Sequence, residues 1–82
     1  MGLPEEVGRV RPEPSFDANE LMQAIAGAPP LYRDAVIAVD VLGLSYKQAA
    51  RALRTRQATI TTRLHRGRQH VGRVLLDYGP AN

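Results

Sequence analysis

A run of arginine, threonine and histidine side chains in the C-terminal half of the chain carries the residue types that bind polyanions. Residues 59–68 read TITTRLHRGR. Guanidinium groups pair bidentately with phosphate or with guanine O6 and N7, and threonine supplies a hydroxyl for bases or phosphates and a methyl for thymine. The run therefore favours nucleic-acid recognition. The competing interpretation is an ordinary solvated helix face, where arginines also gather.

Charge divides the chain into two unlike halves. Residues 1–44 carry three arginines against seven carboxylates, a net charge of −4, whereas residues 45–82 carry eight cations against one carboxylate, a net charge of +7. Seven of those eight cations are arginine. A basic half of this kind is expected of a surface that binds a polyanion, so it supports the nucleic-acid interpretation.

Several other classes of protein are disfavoured by composition. Cysteine is absent, and two histidines cannot complete a zinc site, so we expect no disulfide, metal or other cofactor. No apolar run approaches the roughly 20 residues that span a bilayer, and Glu5 and Glu6 stand where a signal peptide carries cations. No nucleophile lies beside a base and no glycine loop cradles a phosphate, so we predict a cytoplasmic protein that is not an enzyme and does not contact membranes.

The elements that must position the basic run are predicted to be helices. Residues 1–15 contain three prolines and two glycines with no sustained apolar period, which indicates an interdomain linker or tail. An ordered domain is expected over residues 16–79. No strand pattern appears in the sequence, so the domain is predicted to be all-α, with four helices and a C-terminal helix-turn-helix.

Capping boxes and stop signals set the predicted helix limits. Asp17 with Glu20 begins the first helix, with Phe16 as a staple residue, and Ser45 with Gln48 begins the third helix at about residues 46–53. The second helix is predicted over about residues 30–42, and the fourth ends at about residue 78, before the stop at residues 79–80. The apolar residues predicted to face the core from the first helix are Leu21, Met22 and Ile25.

The third and fourth helices, separated by a break at residues 54–56, form the predicted helix-turn-helix, in which the second helix lies in the major groove. Helical spacing places Ile60, Leu64, Val71 and Leu75 on the core stripe of the last helix, with Gly67 among them. The outer face is predicted to carry Ala58, Thr61, Thr62, His65, Arg66 and Gln69. The predicted contacts to the DNA backbone are Lys47, Arg51, Arg56, Thr59, Arg63 and Arg68.

Three segments together resemble one known family. Residues 28–36 read APPLYRDAV, residues 40–46 read DVLGLSY, and residues 59–68 form the run described above. Over about residues 16–76 the chain is similar to region 4, the C-terminal domain, of bacterial extracytoplasmic-function (ECF) sigma factors. The resemblance implies recognition of the promoter minus-35 element and docking on the β flap of RNA polymerase. The base-reading positions of the family would fall on Thr61, Thr62, His65 and Arg66, and we expect region 2 to lie outside this chain.

The chain departs from the family pattern at three positions. Family members usually have glycine where this chain has Arg54 and Ala58, and often lysine where it has Thr61, so the promoter sequence cannot be copied from relatives. Two alternative functions stay open. One is a protein-interaction module held by an anti-sigma factor, which the acidic first half favours. The other is the DNA-binding effector domain of a response regulator, which has a similar helix-turn-helix form.

Overall fold

A computed structural model describes residues 17–78, which form four helices and no strand. Helix α1 spans Ala18–Ala26, α2 spans Pro30–Val36, α3 spans Tyr46–Ala52 and α4 spans Gln57–Tyr78. A π-helical segment, Ile37–Val41, continues α2. The predicted all-α fold with a C-terminal helix-turn-helix is therefore confirmed. The predictions for the linker, for Phe16 and for the stop after residue 78 lie outside the described residues.

Both predicted capping boxes are present. The Asp17 carboxylate accepts a hydrogen bond from the Glu20 N–H at 2.8 Å, and the Glu20 carboxylate accepts one from the Asp17 N–H at 3.1 Å. At the start of α3, Ser45 and Gln48 make the same reciprocal pair, at 3.0 and 2.9 Å. Each pair satisfies backbone donors that a helix start would otherwise leave free, so these helices begin where the sequence predicts.

The turns on either side of α3 use left-handed backbone. Gly43 ends the π-helical segment with a φ of 75°, and Arg54 lies in the turn before α4 with a φ of 56°. An L-residue in this region places its Cβ close to the backbone and costs free energy. Arg54 therefore adopts, under strain, a conformation that favours glycine, the residue that the resemblance leads us to expect at this position.

The π-helical segment was not predicted. Its signature is the Leu42 N–H, which donates to the Ile37 carbonyl, five residues earlier, at 2.8 Å. One extra residue in the turn rotates the end of the helix relative to an α-helical continuation. Leu42 is consequently 66% exposed. Leu31 and Val41, on the same continuous helix, are also exposed, at 57% and 45%.

Helix α4 runs through both clusters of the core. One cluster joins it to α1 and α2 and consists of Ala24, Ile25, Ala35, Val36, Leu64 and Val71. The other joins it to the π-helical segment and α3 and consists of Ala38, Ala49, Ala50 and Ile60. Leu21 and Met22, predicted to face the core, are 40% and 43% exposed. Of the three residues of α1 predicted to face the core, only Ile25 is buried, and Ala24 turns inward beside it.

Helices α2 and α4 approach most closely at Gly67. A Cβ atom at this position would lie 2.5 Å from Val36 Cγ2 and 2.9 Å from the Tyr32 carbonyl oxygen. Real side chains do not make contacts this short, so the crossing requires glycine. The predicted place of Gly67 on the core stripe is confirmed. Within residues 17–78, no helix combines the length and apolarity needed to cross a bilayer.

Candidate nucleic-acid interface

The outer face of α4 presents polar side chains directly above the core. Thr61, Thr62, His65 and Arg66 are all exposed. Beneath them, Ile60 and Leu64 are at most 1% exposed and fix the rotation of the helix about its axis. The four residues that the resemblance assigns to base reading therefore share one accessible face, whose orientation is set by the core.

The threonine hydroxyls on this face already donate to their own helix. Thr61 Oγ1 donates to the Gln57 carbonyl at 3.2 Å, and Thr62 Oγ1 donates to the Ala58 carbonyl at 3.4 Å. A hydroxyl has one hydrogen to donate but also accepts hydrogen bonds. In this arrangement both threonines can accept from adenine N6 or cytosine N4 and can pack a methyl group on thymine.

A concavity of about 400 Å³ opens beside the outer face of α4. The side chains that give it its chemistry are Tyr32, Arg56, Thr59, Thr62, Arg63 and Arg66. Three guanidinium groups surround it, and no carboxylate is among its lining residues. Such a site attracts a phosphate group, since each guanidinium offers several N–H donors in a fixed plane.

The concavity brings together residues to which the sequence assigns different roles. Thr62 and Arg66 were predicted to read bases, whereas Arg56, Thr59 and Arg63 were predicted to contact the backbone. Two further predicted backbone contacts, Lys47 and Arg51, lie exposed one turn apart on α3. They belong to the other helix of the helix-turn-helix and do not line the concavity.

Arg68 differs from the other predicted backbone contacts because it has a partner within the protein. Its Nε donates to Asp40 Oδ2 at 2.9 Å and its Nη2 donates to Asp40 Oδ1 at 2.6 Å. The hydrogen bonds to Asp40 raise the pKa of Arg68 above its ordinary value, while desolvation acts in the opposite direction. The structure thus gives Arg68 a role in joining the π-helical segment to α4, and its contact with DNA stays a prediction.

Tyr32 is the residue of this interface that the sequence analysis missed. Its hydroxyl oxygen accepts a hydrogen bond from Arg66 Nη1 at 3.3 Å, across a separation of 34 residues. The side chain is half-buried at the edge of the concavity. A tyrosine near the start of an apolar helix carries no local signal of this contact, which depends on how closely α2 crosses α4.

Comparison with known proteins places these features in a family. Residues 18–71 match the family described as Sigma-70, region 4. The chain belongs to this family. It is also 35% identical, over 81 aligned residues, to the ECF RNA polymerase sigma factor SigE of Mycolicibacterium smegmatis. Both findings confirm the resemblance to region 4 of ECF sigma factors.

The region 4 domain corresponds to a fraction of that relative. The alignment covers 84% of this chain and 30% of the mycobacterial protein, so the chain spans about a third of the relative's length. The family match also favours a sigma factor domain over the response-regulator alternative.

Away from its basic face, the region 4 domain exposes two apolar depressions. One, of about 350 Å³, lies between α1, the π-helical segment and α4, and its walls include Leu21, Val41 and Val71. The other, of about 210 Å³, lies between the π-helical segment and α3 and includes Leu42, Leu44 and Leu53. Among residues 17–78, no group of three or more His, Cys, Asp or Glu side chains is placed to hold a metal ion.

Proposed function

We propose that this domain recognises the minus-35 element of bacterial promoters by placing the outer face of α4 in the major groove. The observation that carries the proposal is the exposure of Thr61, Thr62, His65 and Arg66 on one face, directly above buried core residues. A helix presented in this way matches the recognition helix of a helix-turn-helix. The domain would act in the bacterial cytoplasm as part of the sigma factor that directs RNA polymerase to its promoters.

Within this proposal the charged residues divide by role. Arg66 reads a base pair, for which guanine is the best partner, because a guanidinium edge matches O6 and N7. Arg56, Thr59 and Arg63 hold the phosphates of one strand at the concavity, and Lys47 and Arg51 hold phosphates from α3. Phosphate contacts fix the register of a protein on DNA and carry no sequence information themselves.

Binding-site selection from a random duplex library, followed by a panel of single-base-pair mismatches, tests the proposal. Arg66→Ala should relax the preference at one base pair and cost about 1–3 kcal/mol on the selected site. Arg63→Ala and Lys47→Ala should weaken binding to every duplex alike, since they remove phosphate contacts. If all three variants gave the same profile across the panel, the division between reading and positioning residues would be wrong.

A second candidate function is protein docking, which the apolar depressions favour. We propose that the β flap of RNA polymerase contacts the depression bounded by Leu42, Leu44 and Leu53, and that an anti-sigma factor would act by covering the same surface and so excluding the polymerase. Exposed apolar surface of this kind is typical of protein contacts. Both contacts would leave the outer face of α4 chemically unchanged.

Charge introduced into this depression tests the docking proposal. Leu42→Glu should weaken binding to core RNA polymerase at least about tenfold, because a carboxylate would be desolvated against apolar partner atoms. Leu76→Glu is the matched control, since Leu76 is 70% exposed and does not line the depression. Equal effects of the two substitutions would place the polymerase contact elsewhere.

A further inference from the structure

We infer that Tyr32 is a specificity-determining residue, which positions Arg66 for reading a base pair. Its hydroxyl holds the Arg66 guanidinium at the edge of α4, so that discrimination between base pairs depends on a residue of α2. The inference rests on the proposed function, in which Arg66 contacts a base edge. It assigns Tyr32 no base contact of its own.

The position of Tyr32 follows from the close crossing of α2 and α4. A Cβ at Gly67 would lie only 2.9 Å from the Tyr32 carbonyl oxygen, so the backbone of Tyr32 lies directly against α4. Arg66 is the residue next to Gly67 in the chain. With its backbone held this close to α4, Tyr32 lines the concavity, and its hydroxyl lies 3.3 Å from Arg66 Nη1.

The atoms involved leave Arg66 able to read a base. Tyr32 accepts from Nη1, which leaves the edge formed by Nε and Nη2 for a bidentate partner. Arg68 shows the same edge in use within this protein, because its Nε and Nη2 bind the two oxygens of Asp40. Tyr32 therefore restrains Arg66 without occupying the edge that matches guanine O6 and N7.

Restraint matters here because Arg66 borders a site that also attracts phosphate. Arg56 and Arg63 line the same concavity, and a phosphate bound there would compete with the base edge for the Arg66 side chain. A long arginine side chain has many rotamers, and only some of them present the Nε–Nη2 edge to the groove. A hydrogen bond from Tyr32 favours those rotamers, so its removal should lower discrimination more than affinity.

Tyr32→Phe tests this inference, because it removes only the hydroxyl and retains the ring at the edge of the concavity. The probes are a duplex selected by the wild-type chain from a random library and its single-base-pair mismatches at the position read by Arg66. Tyr32→Phe should lower the ratio of matched to mismatched affinity about fivefold or more, while affinity for unrelated duplexes and the salt dependence stay unchanged. Tyr46→Phe, which removes a hydroxyl from the start of α3, should leave that ratio unchanged.

A double substitution decides whether Tyr32 acts through Arg66. In the Arg66→Ala background, Tyr32→Phe should have no further effect on the mismatch ratio. A uniform loss of affinity on all duplexes, or the same change in both backgrounds, would overturn the inference by making Tyr32 a separate DNA contact. An unchanged ratio in the Tyr32→Phe protein would overturn it as well. Failure of the wild-type chain to discriminate any mismatch would instead contradict the proposed function.

Discussion

Arg54 is a residue other than glycine in the left-handed region of the backbone, and it therefore carries conformational strain. It adopts a φ of 56° in the turn between α3 and α4, and the Thr55 N–H that follows donates to the Ala50 carbonyl at 2.9 Å. The hydrogen bond closes the turn, and the turn sets the direction in which α4 leaves α3. The left-handed conformation of Arg54 therefore helps to set the orientation of α4 relative to α3.

Substitution at the two left-handed positions should have opposite effects. Arg54→Gly should raise the free energy of unfolding by about 0.5–1 kcal/mol, because relief of the left-handed strain exceeds the entropy that glycine adds to the unfolded chain. Gly43→Ala should lower it by about 1 kcal/mol, since the φ of 75° is retained and no atom lies within 4 Å to cause a clash. Urea denaturation of both variants measures this, and shifts of the same sign would contradict the assignment of strain.

The ion pair between Asp40 and Arg68 joins two elements, the π-helical segment and α4. Asp40→Asn should lower the free energy of unfolding by about 1 kcal/mol, the upper range for a partly exposed pair with bidentate geometry. Asp34→Asn is a matched control, since Asp34 pairs with its neighbour Arg33 at 3.1 Å and joins no two elements. Thermal unfolding should show a smaller change for Asp34→Asn, and equal changes would mean that the Asp40 pair adds nothing by joining helices.

The pH dependence of this pair follows from the direction of the pKa shift of Arg68. The pKa is raised in the folded protein, chiefly by the hydrogen bonds to Asp40. A raised pKa on a cation stabilises the folded state below the unfolded pKa, and the contribution is lost as pH rises through the folded value. For arginine that window lies in strongly alkaline solution. The contribution of Arg68 to stability should therefore be constant across the neutral range.

At the scale of helices, the glycines of α4 have different roles. Gly67→Ala should lower the free energy of unfolding by about 1–3 kcal/mol, because its Cβ would overlap Val36 and the Tyr32 backbone. Gly72→Ala on the same helix meets nothing within 4 Å and should raise stability by up to about 1 kcal/mol through helix propensity. Circular dichroism during heating distinguishes the two, and a tolerated Gly67→Ala would show that α2 and α4 cross less closely.

Helix starts were predictable from the sequence, whereas helix phase and contacts between helices were not. Asp17, Glu20, Ser45 and Gln48 form bonds three residues apart, so local sequence contains all that they need. The π-helical turn that ends at Leu42 has no such local signature. The exposure of Met22 and the contact between Tyr32 and Arg66 depend on which helices meet. The division of base-reading and backbone-contacting roles therefore stays a prediction, while the exposed face on which the predicted base-reading residues lie is present in the structure.

At the scale of the whole molecule, the basic half of the sequence gathers three guanidinium groups around one concavity. The carboxylates Asp17 and Glu20 lie at the start of α1, whereas Arg56, Arg63 and Arg66 line the concavity beside α4. A separation of this kind turns a molecule as it approaches a polyanion and raises the rate of productive encounters. We therefore expect the domain to approach DNA with the concavity and its arginines facing the duplex.

Salt dependence tests this distribution of charge. With about five phosphate contacts, the slope of log K against log salt concentration should be near −0.9 times that number. Arg63→Ala should reduce the magnitude of the slope by about one unit, whereas Arg68→Ala should leave it nearly unchanged because Arg68 is held by Asp40. Fluorescence anisotropy on one duplex across a salt series measures both. An equal reduction of the slope in the two variants would mean that Arg68 also contacts a phosphate.

Gly67 also marks the midpoint of α4. It is the eleventh of the 22 residues of the helix, so arms of roughly 16 Å extend on either side of the crossing with α2. The two arms of α4 are therefore nearly equal in length on either side of its contact with the α2 backbone. A tilt of α4 by about 5° about Gly67 displaces the start of the helix by about 1.4 Å, which is enough to break a hydrogen bond. Under the proposed function, a partner that presses on α1 and tilts α4 should therefore weaken base contacts at the opposite end of the helix.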